Sequence, residues 1–209
     1  MRLVSAPPNV PRVCERAGRH YVSGVEARKN RAESWKGVRL YTVGHSTRSL
    51  DELVALLRPF GVTVLADIRT IPRSRHNPQY DRETLPSALR PYGLTYAHLP
   101  HLGGLRRPRK DSINTAWRND SFRGFADYML TDEFETGLSE LRAETDRGLV
   151  ALMCAEAVPW RCHRSLVADA LTVREASVEH IMGSARAAPH HLTSFAEARG
   201  TSVTYPGEP

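Results

Sequence analysis

The sequence predicts an α/β fold, a single three-layer domain in which a mostly parallel sheet of about five strands carries helices on both faces. Two observations support this prediction. Five short apolar runs, each bounded by turn residues, alternate along the chain with capped or amphipathic helical segments. Most of these runs are apolar throughout, which is typical of parallel strands that are buried on both faces.

The predicted elements alternate between strand and helix from residue 38 onward. The first helix begins at Ser49, because a Ser here and Glu52 three residues later form the signature of a capping box. In chain order, the sequence predicts a strand over 38–43, a helix over 50–57, a strand over 62–68, a helix between 82 and 92, a strand over 94–99, helices over 122–130 and 132–146, a strand over 149–153, a helix that opens at 162–164 and a fifth strand over 178–182.

Length and composition restrict the class of protein. The chain has 209 residues, which is enough for one domain with a sizeable core. It has no run of about 18 apolar residues, so no transmembrane helix is predicted, and its start lacks the apolar segment of a secretory signal. Three cysteines, Cys14, Cys154 and Cys162, do not form a disulfide framework. We therefore expect a cytoplasmic protein with reduced thiols and no membrane partner.

The formal net charge of +6 is concentrated near the N-terminus. Residues 1–37 hold eight of the 29 basic residues and three of the 23 acidic residues, so the remaining 172 residues, with 21 basic and 20 acidic, are nearly neutral. The sequence is therefore divided into a basic, poorly ordered extension over 1–37 and an α/β domain over 38–209. Three interpretations of the extension stay open: an arm that binds nucleic acid, an arm that docks a partner, and a plain extended start.

Reactive side chains follow four of the five predicted strands. Ligands of open α/β sheets bind outside the carboxyl ends of the strands, so these side chains are expected to share one edge and to form one site. The amino ends carry ordinary turn residues such as Lys36 and Gly61. The groups at the carboxyl ends are Gly44-His45-Ser46, Asp67 with Arg69, His98 with His101 and Gly103-Gly104, Cys154 with Glu156, and Gly183-Ser184.

The segment over residues 149–164 is the most informative part of the chain. Its apolar strand ends at Cys154 and Glu156, and the first turn of the following helix carries Cys162, His163 and Arg164. Backbone N–H groups at a helix start favour anions and lower the pKa of a nearby thiol. This concentration of reactive groups favours a functional site over the alternative in which both cysteines are only small buried apolar side chains.

Each candidate group also has a structural explanation. His45 can cap the helix that follows it, and Asp67 can form a local ion pair with Arg69. Gly103-Gly104 can be a plain turn instead of a place where backbone N–H groups approach a ligand. Two basic loops, one with Arg73, Arg75 and His76 and the other with Arg106, Arg107, Arg109 and Lys110, are either solvated surface or clamps for a phosphate.

Several motifs agree in order and spacing with one known family. The segments YTVGHSTRSLDELVALL, ADIRTIPRSRHNPQY, YAHLPHLGG, FADYM and LMCAEAVPWRCHR resemble the prokaryotic family called domain of unknown function 488, over nearly all of residues 38–195. The resemblance implies a small cytoplasmic α/β protein of unassigned activity, and the extension is longer than the family pattern requires. The characteristic positions of the family correspond to Gly44, His45, Ser46, Asp67, Arg69, Pro72, Gly103, Gly104, Cys154, Glu156, Cys162, His163 and Arg164.

Several familiar chemistries do not match these residues. Six residues separate Cys154 from Arg161, where a tyrosine phosphatase loop has five, and adjacent residues such as Cys162 and His163 point about 100° apart on a helix. Zinc bound by Cys154, Cys162 and His163, with Asp67 or His45, is disfavoured because the short Cys pair of structural zinc sites is missing. The sequence also has neither a dinucleotide-binding fingerprint nor a P-loop. We therefore expect no cofactor and no metal.

The leading hypothesis is an enzyme, of unassigned reaction type, that binds an anionic, phosphate-bearing substrate such as a nucleotide or a nucleic-acid end. Two alternatives stay open: a non-catalytic nucleic-acid-associated or regulatory module, and a thiol or redox sensor. The catalytic candidates are Asp67 and Glu156 as general acid and base, His45 as another proton carrier, and Cys154 as nucleophile or redox thiol. The binding candidates are Gly44, Ser46, Arg69, Arg73, Gly103, Gly104, Cys162, His163 and Arg164.

Overall fold

The structure, a computed structural model, describes residues 34–183 and 186–207. A six-stranded sheet lies at its centre, and a two-stranded hairpin lies near the C-terminus. The strands of the sheet are β1 (Arg39–Gly44), β2 (Val64–Asp67), β3 (Thr95–His98), β4 (Val150–Cys154), β5 (Ser177–Ile181) and β6 (Ala187–Pro189), and the hairpin consists of β7 (Glu197–Arg199) and β8 (Ser202–Thr204).

The sheet is mostly parallel, which confirms the predicted fold class. Its spatial order is β3-β2-β4-β1-β5-β6. The first five strands pair with one another in parallel, and β6 pairs antiparallel with β5. β6 and the hairpin were not predicted, because strands of three residues are too short to produce a recognisable hydrophobic pattern.

Five α-helices in the described part of the chain cover the sheet. The capping box predicted at Ser49 is present: the Ser49 hydroxyl accepts from the backbone N–H of Glu52, and the Glu52 carboxylate accepts from the N–H of Ser49 at 2.7 Å. These bonds satisfy two donors that a helix start leaves free, so the first helix begins where predicted. The helices are α1 (Leu50–Leu57), α2 (Leu85–Leu89), α3 (Asp120–Tyr128), α4 (Asp132–Thr145) and α5 (Arg164–Thr172).

The central strand β4 shows why the domain has three layers. All five of its side chains are buried, and successive side chains point to opposite faces of the sheet. Val150, Leu152 and Cys154 pack in the core beneath α3, α4 and α5, whereas Ala151 and Met153 pack beneath α1 and α2. A strand that is apolar on both faces therefore requires a helical layer on each side.

The packed domain includes residues upstream of the predicted boundary at residue 38. Trp35 is buried in the core under α4 and α5, and the Ser34 carbonyl accepts a bond from Arg142. Residues 1–33 lie outside the described residues, as do Cys14 and Ser184, so the order and the partners predicted for the extension stay predictions. Over residues 34–183 and 186–207, no helix is both long and apolar enough to cross a membrane.

A buried chain of polar side chains fastens the C-terminal segment to the sheet. Asp169 on α5 accepts from His190 Nε2 at 2.8 Å, and His190 Nδ1 accepts from His180 Nε2 at 2.9 Å. His180 Nδ1 in turn accepts the hydroxyl of Thr42 on β1 at 2.7 Å. Asp169 also accepts the Tyr205 hydroxyl. Each imidazole is therefore fully bonded when it is neutral, and protonation would disturb the chain.

We expect the stability of the domain to fall in mild acid through His180. Burial is the main cause that lowers the pKa of His180 from its usual 6.5 to about 4, and electrostatic repulsion from the neighbouring His190 and Arg164 adds to it. The unfolded chain therefore binds this proton first, so stability is full above pH 6.5 and is lost as the pH falls toward 4. Urea unfolding should show a loss of about 2 kcal/mol from this group between pH 7 and pH 5.

The His180→Gln variant isolates this contribution. It should be less stable than the parent at pH 7 but should lose less stability between pH 7 and pH 5. His101→Gln is the matched control, because His101 lies on the surface beside Glu140, and its curve should follow the parent. Parallel pH dependences in the parent and in His180→Gln would contradict the assignment.

Candidate functional site

The carboxyl ends of three neighbouring strands place the predicted site residues side by side. Gly44 at the end of β1 pairs with Cys154 at the end of β4, and Asp67 at the end of β2 pairs with Met153. Because these strands are parallel, the loops that leave them emerge at the same edge of the sheet. Residues that are far apart in the sequence are thus brought together there.

An open cleft with two lobes lies at this edge. The thiol lobe has a volume of about 350 Å³ and the histidine lobe about 420 Å³. The lobes are direct neighbours, since both are lined by Arg69, Ile71, Ala155 and Glu156. The thiol lobe adds Thr70, Gly104, Leu105, Ser121, Phe122, Cys154, Arg161, Cys162 and His163, and the histidine lobe adds His45, Ser46, Thr47, Arg73, Ser74, Asn77 and Ala157. A larger cavity of about 520 Å³, at the amino edge of the sheet, is lined by none of the predicted site residues.

Asp67 and Arg69 form a buried ion pair beneath the cleft. Asp67 is fully buried, and its carboxylate accepts from the backbone N–H, Nε and Nη2 of Arg69 and from the hydroxyl of Tyr96. The Arg69 Nη2 group also donates to the Tyr80 carbonyl at 2.6 Å. Both oxygens of the Asp67 carboxylate are thus bonded to protein groups, an arrangement that holds Arg69 in place. The acid–base role expected for Asp67 stays a prediction.

His45 is held as a neutral imidazole that faces this ion pair. Its Nδ1 donates to the carbonyl of Ser46 at 2.8 Å, so its Nε2 carries the lone pair, which lies 3.3 Å from Nη1 of Arg69. The ring stacks on Tyr80 with a centroid distance of 4.1 Å. Burial lowers the pKa of His45, so the imidazole stays neutral and its Nε2 is a hydrogen-bond acceptor.

The backbone of the turn over residues 44–46 packs against the loop that follows β4. A Cβ atom on Gly44 would lie 1.8 Å from the carbonyl oxygen of Glu156, so only glycine allows this approach. The backbone N–H of His45 donates to the Cys154 carbonyl, and that of Ser46 donates to the Ala155 carbonyl, both at 2.9 Å. Both backbone donors are thus satisfied by carbonyl groups, and the side chain of Ser46 is the part of this turn that lines the histidine lobe. The anion contact expected for Gly44 and Ser46 stays a prediction.

Arg164 lies behind the cleft. Its side chain is 1 % exposed, and its guanidinium donates to the carbonyl oxygens of Glu156 and Ala157. The direct anion contact expected for Arg164 is therefore replaced by a positioning role, in which a buried cation holds the loop that carries Glu156.

The two exposed guanidinium groups of the cleft belong to Arg73 and Arg161, one in each lobe. Arg161 was missed as a binding residue, because the sequence analysis used it only to reject a phosphatase spacing. The carboxylate of Glu156 is exposed at the junction of the lobes. Charged groups that a ligand can reach are thus present in both lobes.

Cys154, Cys162 and His163 form a compact cluster at the floor of the thiol lobe. Nδ1 of His163 lies 3.9 Å from Sγ of Cys154 and 3.7 Å from Sγ of Cys162. The pKa of Cys154 is held well below its usual range, first because the Cys162 thiol donates a hydrogen bond to it. The pKa of Cys162 is correspondingly raised, since loss of its proton would break that bond. The nucleophile role expected for Cys154 stays a prediction.

Two glycines allow the loop after β3 to close over this cluster. A Cβ atom on Gly104 would lie 2.4 Å from Nδ1 of His163, and one on Gly103 would lie 2.5 Å from Oγ1 of Thr70. The close approach predicted for Gly103-Gly104 is present, but the groups approached are protein side chains. These glycines therefore shape the cleft and seat the imidazole of His163.

The chain matches the family described as domain of unknown function DUF488 over residues 49–171, which is more than half of its length. The chain belongs to this family. The searches of curated proteins and of solved structures found no match.

The match to the DUF488 family covers most of the cleft. It includes the ion pair of Asp67 and Arg69, the glycines of the loop after β3, and the whole segment from Cys154 to Arg164. The 44–46 turn lies just upstream of the matched residues. The family description names no substrate and no reaction.

We expect the ion pair beneath the cleft to be necessary for folding. In Asp67→Asn the guanidinium of Arg69 would stay buried without a counter-charge, which should lower the free energy of unfolding by about 3–5 kcal/mol. Urea unfolding followed by circular dichroism measures the loss.

A matched control for this variant lies on the surface. Asp111 pairs with Arg109 two residues away, as Asp67 pairs with Arg69, but both partners are exposed. Asp111→Asn should unfold like the parent, because water screens an exposed pair. Equal effects of the two substitutions would show that burial of the Asp67 pair does not matter.

Proposed function

We propose that this protein is an enzyme that binds an anionic, phosphate-bearing substrate, a nucleotide or a nucleic-acid end, in the two-lobed cleft. The observation that carries the proposal is the convergence of exposed charged groups there. Arg73 and Arg161 offer cations in the two lobes, and Glu156 offers a carboxylate at their junction. Sites that transfer a proton next to a bound anion need both kinds of group within reach of one ligand.

The anion-binding role belongs to the exposed arginines. Arg73 and Arg161 are exposed and line the cleft, and a guanidinium binds phosphate with two parallel hydrogen bonds. Arg69 also lines both lobes, but its charge is balanced by Asp67 and most of its donors are engaged. Arg69 therefore stabilises the floor of the cleft, and the exposed side chains of Arg73 and Arg161 supply the electrostatic attraction for the substrate.

Glu156 is the candidate general acid or base. Its backbone carbonyl is held by Arg164 and contacts Gly44, so the main chain that carries the carboxylate is well positioned. His45 also lines the histidine lobe, and its Nε2 lone pair lies next to Arg69 Nη1. His45 is therefore the second candidate for accepting a proton. In this assignment Glu156 moves the proton and Asp67 acts only through Arg69.

The apolar rim of the cleft favours a nucleotide over inorganic phosphate. Ile71 and Leu105 are 64 % and 70 % exposed, and both line the thiol lobe together with the ring of Phe122. Exposed apolar side chains beside a cationic site provide a surface on which a base or a sugar can lie. The lobe is large enough for a group of that kind.

We expect nucleoside 5′-monophosphates to raise the melting temperature of the protein, whereas the matching nucleosides should not. In Arg161→Ala and in Arg73→Ala the affinity for the monophosphate should fall about tenfold to a hundredfold, since each loses a charge-assisted hydrogen bond. Arg58→Ala is the matched control, because Arg58 is exposed at the amino edge of the sheet. Thermal shift and calorimetric titration give the affinities.

Glu156→Gln separates binding from turnover. The substitution removes a negative charge next to the bound anion, so the affinity for the monophosphate should be kept or improved. The rate of product formation should fall about a hundredfold or more. Mass spectrometry of nucleotides and 5′-phosphorylated oligonucleotides measures that rate. Turnover in Glu156→Gln equal to that of the parent would remove the acid–base role. Equal stabilisation by nucleosides and their monophosphates would remove the proposed substrate class.

A further inference from the structure

The cluster of Cys154, Cys162 and His163 has the dimensions of a metal site. All three candidate ligand atoms lie within 4.8 Å of one another. Zinc bound tetrahedrally, with Zn–S of about 2.3 Å and Zn–N of about 2.0 Å, places sulfur and nitrogen about 3.5 Å apart. The separations of 3.9 Å and 3.7 Å between the sulfurs and Nδ1 of His163 are close to that value. A metal ion thus fits with small side-chain movements.

The imidazole of His163 is in the tautomer that a metal requires. Its Nε2 lies 3.1 Å from the carbonyl oxygen of Ile68, which can only accept, so Nε2 carries the proton and Nδ1 carries a lone pair. That lone-pair nitrogen is the one that approaches both sulfurs. A ligating histidine commonly donates its other N–H to a backbone carbonyl, which fixes the orientation of the ring. The Phe125 ring packs on the imidazole in a T-shaped arrangement, with a centroid distance of 5.0 Å, and holds it from one side.

The two sulfurs lie in the interior of the protein. Cys154 is 7 % exposed and Cys162 is 3 % exposed. A metal ion bound between them would compensate the charge of two thiolates, since a buried charge has to be paired.

We propose that Cys154, Cys162 and His163 bind one zinc ion and leave a fourth coordination position open to the thiol lobe. All three residues line that lobe, so an ion among them borders the space where a substrate would lie. Three protein ligands with one open position are typical of catalytic zinc sites. The absence of a short Cys pair disfavoured zinc in the sequence. That pair is a property of structural zinc sites with four protein ligands, so its absence does not count against a site with three.

The proposal changes the role of Cys154. A thiolate bound to zinc is a ligand, so it replaces the nucleophile or redox thiol suggested by the sequence. The site goes beyond the proposed function and does not depend on the substrate class, because it rests only on the three ligands and on their supporting contacts. Glu156 and Arg161 line the same lobe and do not belong to the cluster of three ligands.

Metal content and cobalt spectra of the full chain test the proposal. The purified protein should contain one zinc ion per chain by elemental analysis. After removal of zinc with a chelator, added Co²⁺ should give the intense visible bands of a tetrahedral ion and a sulfur-to-cobalt charge-transfer band. In His163→Gln, Cys154→Ser and Cys162→Ser the affinity for Co²⁺ should fall more than about a hundredfold.

Controls distinguish loss of a ligand from loss of the fold. His101→Gln should bind cobalt like the parent, since His101 pairs with Glu140 away from the cluster. Circular dichroism of each variant shows whether it is folded. The parent spectrum needs no variant at all, so it tests the proposal even if a substitution prevents folding.

The outcomes also separate this proposal from the proposed function. A parent protein that contains no zinc and gives no charge-transfer band overturns the metal site, whether or not nucleotides bind. Full cobalt affinity in a folded His163→Gln overturns the ligand assignment. Glu156→Gln and Arg161→Ala should bind cobalt like the parent. Weaker nucleotide binding in Arg161→Ala with a normal cobalt spectrum supports the proposed function and leaves the metal site untouched. Unchanged nucleotide binding in that variant contradicts the proposed function alone.

Discussion

The parallel alignment of β2, β4 and β1 is the constraint on which the rest of the site depends. Because Gly44 lies beside Cys154 and Asp67 beside Met153, three loops leave the sheet at one edge and share one cleft. A slip of one residue in any of these strands would turn its side chains to the opposite face of the sheet.

Buried and exposed charges at this edge have different roles. Asp67 and Arg69 compensate each other in the interior, and Arg164 holds two backbone carbonyl groups behind the loop after β4. A buried charge is stable only when it is paired or hydrogen-bonded, so these residues determine the shape of the site. Glu156 and Arg161 keep their charges in contact with water and are therefore the groups that a ligand meets.

Much of the fold and part of the site were predictable from local patterns. The capping box at Ser49 marked the start of a helix, and the apolar run before Cys154 marked a buried parallel strand, because both signals are local. The roles of Arg164 and Arg161 could not be predicted. The two residues are three positions apart on the same segment, and only their packing shows that one guanidinium is covered and that the other faces the cleft.

The sequence by itself determined the α/β class, the positions of the main strands and the edge at which reactive groups gather, because periodicity and caps are properties of neighbouring residues. Only the tertiary structure decided which groups meet. The lone pair of His163 reaches two sulfurs because the Ile68 carbonyl, 95 residues away, takes its other proton. Contacts of that kind depend on how distant segments pack, and no local pattern in the chain records them.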